Sequence, residues 1–389
     1  MPRKEIRATK ATIVGLGEKN VTEAPHRPTG ISELDRVLGG GIVAGSVLLL
    51  SGEPGIGKST LVSQLVGSVS GAALLSSGEE SAAQIRLRFE RLGLPFSHVR
   101  FVEETTVEAI ASASAELKPS LIVVDSIQTA TTLELDGIAG SPNQIRASTV
   151  KLVELAKSTN IPVLIIGQIT KDGSVAGPKL LEHMVDVVMM LEGDPNSTYR
   201  LLHAQKNRFG AADEVGVFEM TSKGMLSVDQ PSQRFLAERQ AGPGSIITCV
   251  MEGSRPFLIE VQALTDKTSY GYPVRKSSGF DLNRLQLLIA IANRHANAKL
   301  DDKDVYVNVV GGLRVDEPSA DLAVLAALLS ASTNLSLTDT VIMGEVGLGG
   351  EVRSVPHLDR RIAEAERYGF KKSITPKTIK HVRELLKMN

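Results

Sequence analysis

The stretch SVLLLSGEPGIGKSTLVSQLV (46–66) limits what this chain can become more than any other. An apolar run leads into G-x-x-x-x-G-K-S, with Gly52, Gly57, Lys58 and Ser59 at the fixed positions, and a helical pattern follows. A strand that turns through glycines into a helix presents backbone N–H groups and the positive end of a helix dipole to an anion. The loop Gly52, Glu53, Pro54, Gly55, Ile56 and Gly57, continued by Lys58, Ser59 and Thr60, is therefore expected to cradle a nucleotide's phosphates. Lys58 should reach the β- and γ-phosphates, and the Ser59 hydroxyl should ligate Mg2+.

Around this loop, apolar runs at 46–51, 72–77, 121–126, 162–168 and 186–191 alternate with helical patterns. That predicts an α/β core whose parallel sheet is covered on both faces. LIVVDS (121–126) brings Asp125 to the carboxyl edge of the sheet, facing the metal. SSGEES (76–81) ends another apolar run, so Glu79 and Glu80 are both candidates for the carboxylate that orients water, with Glu79 preferred. The same pair also reads as the charged start of the helix that follows. Gln168 ends its run beside this site as either a γ-phosphate sensor or an ordinary strand-end amide.

With 389 residues there is room for two cores. The pattern divides into a flexible arm at 1–25, the nucleotide domain at 26–228, a Pro- and Gly-bearing linker at 229–245, and a second α/β domain at 246–389. Helices are predicted there over 282–296, 319–332 and 358–369. Lys plus Arg is 43 and Asp plus Glu is 44, which excludes a grip on nucleic acid by bulk charge and leaves room for a local basic surface. The single cysteine, Cys249, excludes an internal disulfide framework and a cysteine zinc cluster, so no zinc site is expected. No apolar run approaches the roughly 18 residues of a membrane span, and the basic N-terminus has no apolar core. The expectation is a soluble, cytoplasmic protein.

LDRVLGGGIVAGSVLLLSGEPGIGKST, SSGEESAAQIRLRFERLG, DSIQT, GPKLLEHMVD and KNRFG together closely resemble the bacterial RadA (Sms) family of DNA repair and recombination proteins, from about residue 30 to the end. The resemblance implies a RecA-like ATPase core, ATP with Mg2+, a hexameric ring akin to the helicase DnaB, and a non-proteolytic Lon-protease-like C-terminal domain. It also implies a DNA-stimulated motor on single-stranded or branched DNA in homologous recombination, with a RecA-type recombinase as partner. The family usually begins with a four-cysteine zinc finger, for which this sequence has no cysteines.

Period-2 alternation would turn Lys206 and Arg208 of KNRFG to one side. In a ring, that side would meet the neighbour's nucleotide, where both could act as cationic fingers on the γ-phosphate. The Gly-rich loops 133–148 and 170–180 offer Arg146, Lys171 and Lys179 to a phosphate backbone. The segment 267–284, basic with Tyr270, Tyr272 and Phe280, is a second candidate for DNA contact. DEPSADLAVLAALL resembles the segment around the Lon nucleophile, with Ser319 as the serine. The position of its lysine base falls on Asp359, so proteolysis is not expected and Ser319 is read as a helix N-cap. Two rivals remain. One is a signalling ATPase of the RecA superfamily that never touches DNA, and the other is a Lon-like serine peptidase.

Overall fold

A computed structural model describes residues 25–168, 178–193, 197–269, 271–333, 337 and 339–387. The chain enters through a short antiparallel ribbon of β1 (His26–Arg27) and β2 (Ile42–Val43), with α1 (Ser32–Leu38) between them. The nucleotide domain is then built on β3 (Val47–Gly52), β4 (Ala73–Ser77), β5 (Val99–Val102), β6 (Leu121–Asp125), β7 (Val163–Ile166) and β8 (Val187–Glu192), all parallel. β9 (Tyr199–Asn207), β10 (Val215–Thr221) and β11 (Gly224–Ser227) extend one edge as antiparallel strands. The spatial order is β11-β10-β9-β8-β3-β7-β6-β4-β5.

The central strands lack alternation in sequence because both their faces are covered. On β3, Leu48 and Leu50 join the core under α2 (Lys58–Ser68) and α3 (Ala82–Leu92), while Val47 and Leu49 join the core under α4 (Val107–Leu117) and α5 (Pro142–Thr159). Three helix starts are fixed by side chains that accept from the third residue on: Ser81 from Gln84, Thr106 from Ala109, and Ser141 from Gln144. β5 carries no long apolar run, so the sequence reading did not place it, and of the antiparallel extension it read strand only around KNRFG. α6 (Pro178–Leu181) leads into β8.

The stretch read as a linker, 229–245, contains α7 (Pro231–Leu236). Phe235 of α7 stacks edge-on against Phe257 at 6.3 Å, within the second core. That core lies on a sheet of β12 (Ser245–Glu252), β13 (Arg255–Lys267), β14 (Arg275–Ser278), β15 (Lys303–Val309), β16 (Thr340–Ile342) and β19 (Lys372–Ile374). Its order is β14-β15-β13-β12-β16-β19. β17 (Glu345–Val346) and β18 (Val352–Arg353) form a separate ribbon. α8 (Leu282–Ala296), α9 (Asp321–Thr333) and α10 (Leu358–Arg367) complete the domain. α9 is buried on every side from Asp321 to Ser330, which explains its unbroken apolar sequence. The architecture is a RecA-like core followed by a Lon-like α/β domain.

Two expectations for the second domain are corrected. Ser319 does not cap α9: it lies in a 3-10 turn, Pro318–Ala320, and its Oγ accepts from Arg361 Nη1 at 2.9 Å. The side chain facing the serine is therefore Arg361 and not Asp359, which is largely exposed and paired with Lys377. Arg361 is 1% exposed. Its guanidinium also donates to Pro356 O (2.9 Å), Cys249 O (2.6 Å) and both oxygens of Glu317 (2.7 and 2.6 Å). An arginine does not give up its proton in a protein, so this pair has no base.

Candidate nucleotide site and the KNRFG loop

β3 delivers the phosphate loop at the carboxyl edge of the sheet, and α2 begins at Lys58. Gly57 has φ +117°, a backbone conformation that favours glycine, and a Cβ there would also displace the flexible end of Met220, 2.7 Å away. Lys58 Nζ is folded onto its own loop, donating to Gly52 O and Glu53 O at 2.8 Å each. Burial lowers its pKa, partly opposed by Asp125 and Glu79.

The structure separates the two glutamates. Glu79 Oε1 accepts from Ser126 Oγ at 2.5 Å, and Gln168 Nε2 donates to both Glu79 oxygens at 2.9 and 3.0 Å. Glu80 turns instead to Arg88 on α3. Gln168 also accepts at its backbone carbonyl from Gln128 Nε2 (3.3 Å), which ties it to the segment after β6.

Burial, then the charges of Glu79 and Glu80, push the Asp125 carboxyl up to about 6, and Arg88 and Lys58 offset this only in part. Ser59, Ser77, Glu80 and Asp125 line one small pocket, and Glu80 Oε2 is buried there without a hydrogen-bond partner among the described residues. Arg88 lines the same pocket but is already paired with Glu80, which leaves the Ser59 hydroxyl and the Asp125 carboxylate as oxygen donors of the kind Mg2+ takes. Among the described residues, no group of three or more His, Cys, Asp or Glu could hold a metal by itself, so the nucleotide's own oxygens would have to complete the shell.

Sequence reasoning missed Arg200. It lies in the buried phase of β9, and its Nε donates to Ile56 O at 3.1 Å, inside the phosphate loop. In a planar trans peptide the C=O and the following N–H point in opposite directions. With Ile56 O held by Arg200, the Gly57 N–H points away from Arg200. An arginine at the buried phase of a strand is the signal that would have revealed it.

KNRFG occupies the end of β9. A bulge at Gln205 shifts the register, with Val188 opposite Lys206 but Met189 opposite Ala204. It moves the buried set from Arg200, Leu202 and Ala204 to Asn207, which turns Lys206 away from the core. Lys206 Nζ donates to Glu182 O (2.6 Å) and Val185 O (2.7 Å), and burial followed by the Arg208 charge lowers its pKa. Arg208, 57% exposed, touches Asp186 loosely at 3.4 Å. Asn207 donates to Val37 O (3.2 Å) and accepts from Phe209 N (2.9 Å). Both cations reach the same 182–186 corner, although Arg208 lies beyond the end of β9 rather than in phase with Lys206 along it, and Arg208 is the more exposed and more loosely held of the two.

Arg146 is exposed on α5. Lys171 and most of the 170–180 loop lie outside the described residues, as do Tyr270 and the 1–24 arm, and nothing is described of the Lys179 side chain.

Fold and site together define a P-loop ATPase with a RecA-like core. A family model described as an AAA domain matches residues 19–174, and one described as subunit ChlI of Mg-chelatase matches 283–379. The chain is 46% identical over 372 residues to the DNA repair protein RadA of Haemophilus influenzae, covering 95% of this chain and 81% of that protein. It is 46% identical over 361 residues to RadA of Bacillus subtilis (91% and 79% covered) and 43% over 370 residues to RadA of Escherichia coli (94% and 80%). The chain belongs to the RadA family of DNA repair proteins.

Proposed function

We propose that this chain is a DNA-dependent ATPase that closes into a hexameric ring and moves along single-stranded or branched DNA during homologous recombination, in the manner of a helicase. The position of KNRFG carries the proposal. β8 pairs with β3 so that Leu191 stands opposite Gly52, whereas Asn207 stands opposite Val187 at the other end of β8. Four strand residues separate the two levels, roughly 13 Å along the sheet. Arg208 therefore sits at the edge away from its own phosphate loop, and a role in hydrolysis requires another protomer's nucleotide.

In this reading the loop Gly52–Gly57 and Lys58 bind the phosphates, and Ser59 and Asp125 hold Mg2+. Bound Mg2+ would neutralise charge developing across the β- and γ-oxygens. Glu79, held by Ser126 and Gln168, orients the attacking water and accepts its proton. Gln168 links that carboxylate to the loop that follows it. Arg208 of the adjacent protomer, with Lys206 beside it, stabilises the transition-state charge. Arg146, Lys171 and Lys179 would follow the DNA backbone, and a RecA-type recombinase would receive the product.

The test is complementation between inactive variants. Arg208→Ala and Glu79→Gln should each bind ATP but lose about 10³-fold in turnover. Mixed, they should recover activity, because an Arg208→Ala site can border an intact finger. Single-stranded DNA should stimulate the wild type, and that stimulation should fade steeply with salt. No recovery on mixing would sink the finger in trans, and turnover indifferent to DNA would favour a partner-switching ATPase.

A further inference from the structure

The KNRFG loop is held from two sides, and one of them is the second domain. Residues 208–214 join β9 to β10. Their first half is fixed within the nucleotide domain: Arg208 N donates to Asp186 O (3.2 Å), Phe209 N to Asn207 Oδ1 (2.9 Å), and Gly210 lies against Gly39. Their second half is gripped by the turn between β12 and β13. Ser254 N donates to Asp213 O (2.8 Å), Ser254 Oγ to Glu214 Oε1 (3.1 Å), and Arg255 Nη1 to Val215 O (3.2 Å). The last two loop residues and the first residue of β10 are thus held by Ser254 of the turn and by Arg255 at the start of β13.

The grip is anchored and tight. Arg255 pairs with Glu33, which is 1% exposed and accepts from Val217 N at 2.8 Å. Gly253 has φ +57°, and a Cβ there would sit 2.0 Å from Asp213 O, so the two backbones meet in van der Waals contact that no side chain could enter. Breaking one partner of so buried an ion pair leaves an uncompensated charge, so the start of β13 is held firmly against α1 and β10.

We propose that the Gly253–Arg255 turn is a positioning element for Arg208: the Lon-like domain sets where the finger stands and so takes part in the ATPase step of the neighbouring protomer. This rests on the finger reading above. A load on the second domain that tilts β12–β13 would be felt at the neighbour's γ-phosphate through one seven-residue loop.

The experiment compares Gly253→Ala, Gly369→Ala and Arg208→Ala in the full chain, measuring kcat, KM for ATP and assembly state. Gly369 lies in the same domain at φ +87° with nothing within 4 Å of its Cβ site, so it carries a left-handed backbone without the clash. Gly253→Ala should lower kcat by up to about 100-fold, the scale on which a 1 Å misplacement acts, with KM and the ring preserved. Gly369→Ala should stay near wild type. If Gly253→Ala matches Gly369→Ala in kcat, or raises KM in step with the loss, the positioning role is overturned. If Arg208→Ala is also unimpaired, the finger reading has failed first. Should Gly253→Ala not assemble, Ser254→Ala removes only the Glu214 bond. A kcat fall of about threefold at unchanged melting temperature would support the role, and an unchanged kcat would overturn it.

Discussion

Replacing Arg361 by lysine would put a primary amine where a serine–lysine peptidase keeps its base. Arg361 makes five hydrogen bonds to Pro356 O, Cys249 O, Ser319 Oγ and the two oxygens of Glu317. A lysine has three donors on one atom, so at least two of these acceptors lose their partner. Each such loss costs about 1–3 kcal/mol when the group left behind is buried, so two give about 2–6, and roughly 3 kcal/mol is expected for Arg361→Lys because the Glu317 side chain is partly exposed. Glu317 would hold the new ammonium protonated, so no peptide cleavage is expected. Cys249 reports on the same core: it is the sole cysteine, is fully buried, and its thiol pKa is pushed well up by burial. A thiol reagent reaches it only when the second domain opens, so its labelling rate follows the opening equilibrium. A loss of about 3 kcal/mol should speed labelling on the order of 100-fold. Labelling within about threefold of wild type, or serine-dependent peptidase activity in the variant, would refute the account of Arg361 as a buried hub that replaced a base.

Two other perturbations bear on the nucleotide site. The Asp125 carboxyl, raised to about 6, keeps its proton to higher pH than a free aspartate, while metal binding needs the carboxylate. The Mg2+ requirement for nucleotide binding should therefore be level above about pH 7 and rise about tenfold per unit below pH 6. A Mg2+ midpoint that stays constant from pH 5 to 7 in a nucleotide-binding titration would contradict this. Arg200→Met removes the bond to Ile56 O and should weaken ATP binding about tenfold, with turnover at saturation much less changed, and an unaltered Kd would show that the Gly57 peptide orients itself.

The nucleotide loop was legible because its parts are contiguous: strand, glycines, lysine and hydroxyl follow each other within thirteen residues, 47–59. Asp125 was legible for a related reason, since a buried parallel strand is one unbroken apolar run ending at the sheet edge. Glu79 was preferred to Glu80 on position alone, but the contacts that part them were not legible, because Arg88, Ser126 and Gln168 arrive from different elements. The antiparallel edge was passed over since half-buried strands such as β9 interleave polar residues, and the bulge at Gln205 breaks even that alternation. Alignment by spacing put the lost base at Asp359, whereas helix α10 turns Arg361 inward to Ser319 and leaves Asp359 in solvent.

By itself, the sequence determined the chemistry that lives in short-range pattern: a phosphate cradle, two α/β domains and membership of the RadA family. Only the tertiary structure decided which side chains hold Glu79 and Glu80 apart, that Arg361 faces Ser319, and that Arg255, 40 residues beyond Val215, bonds to its carbonyl where β10 begins. Local geometry follows from neighbouring residues, whereas partners distant in the chain are chosen by how whole elements pack.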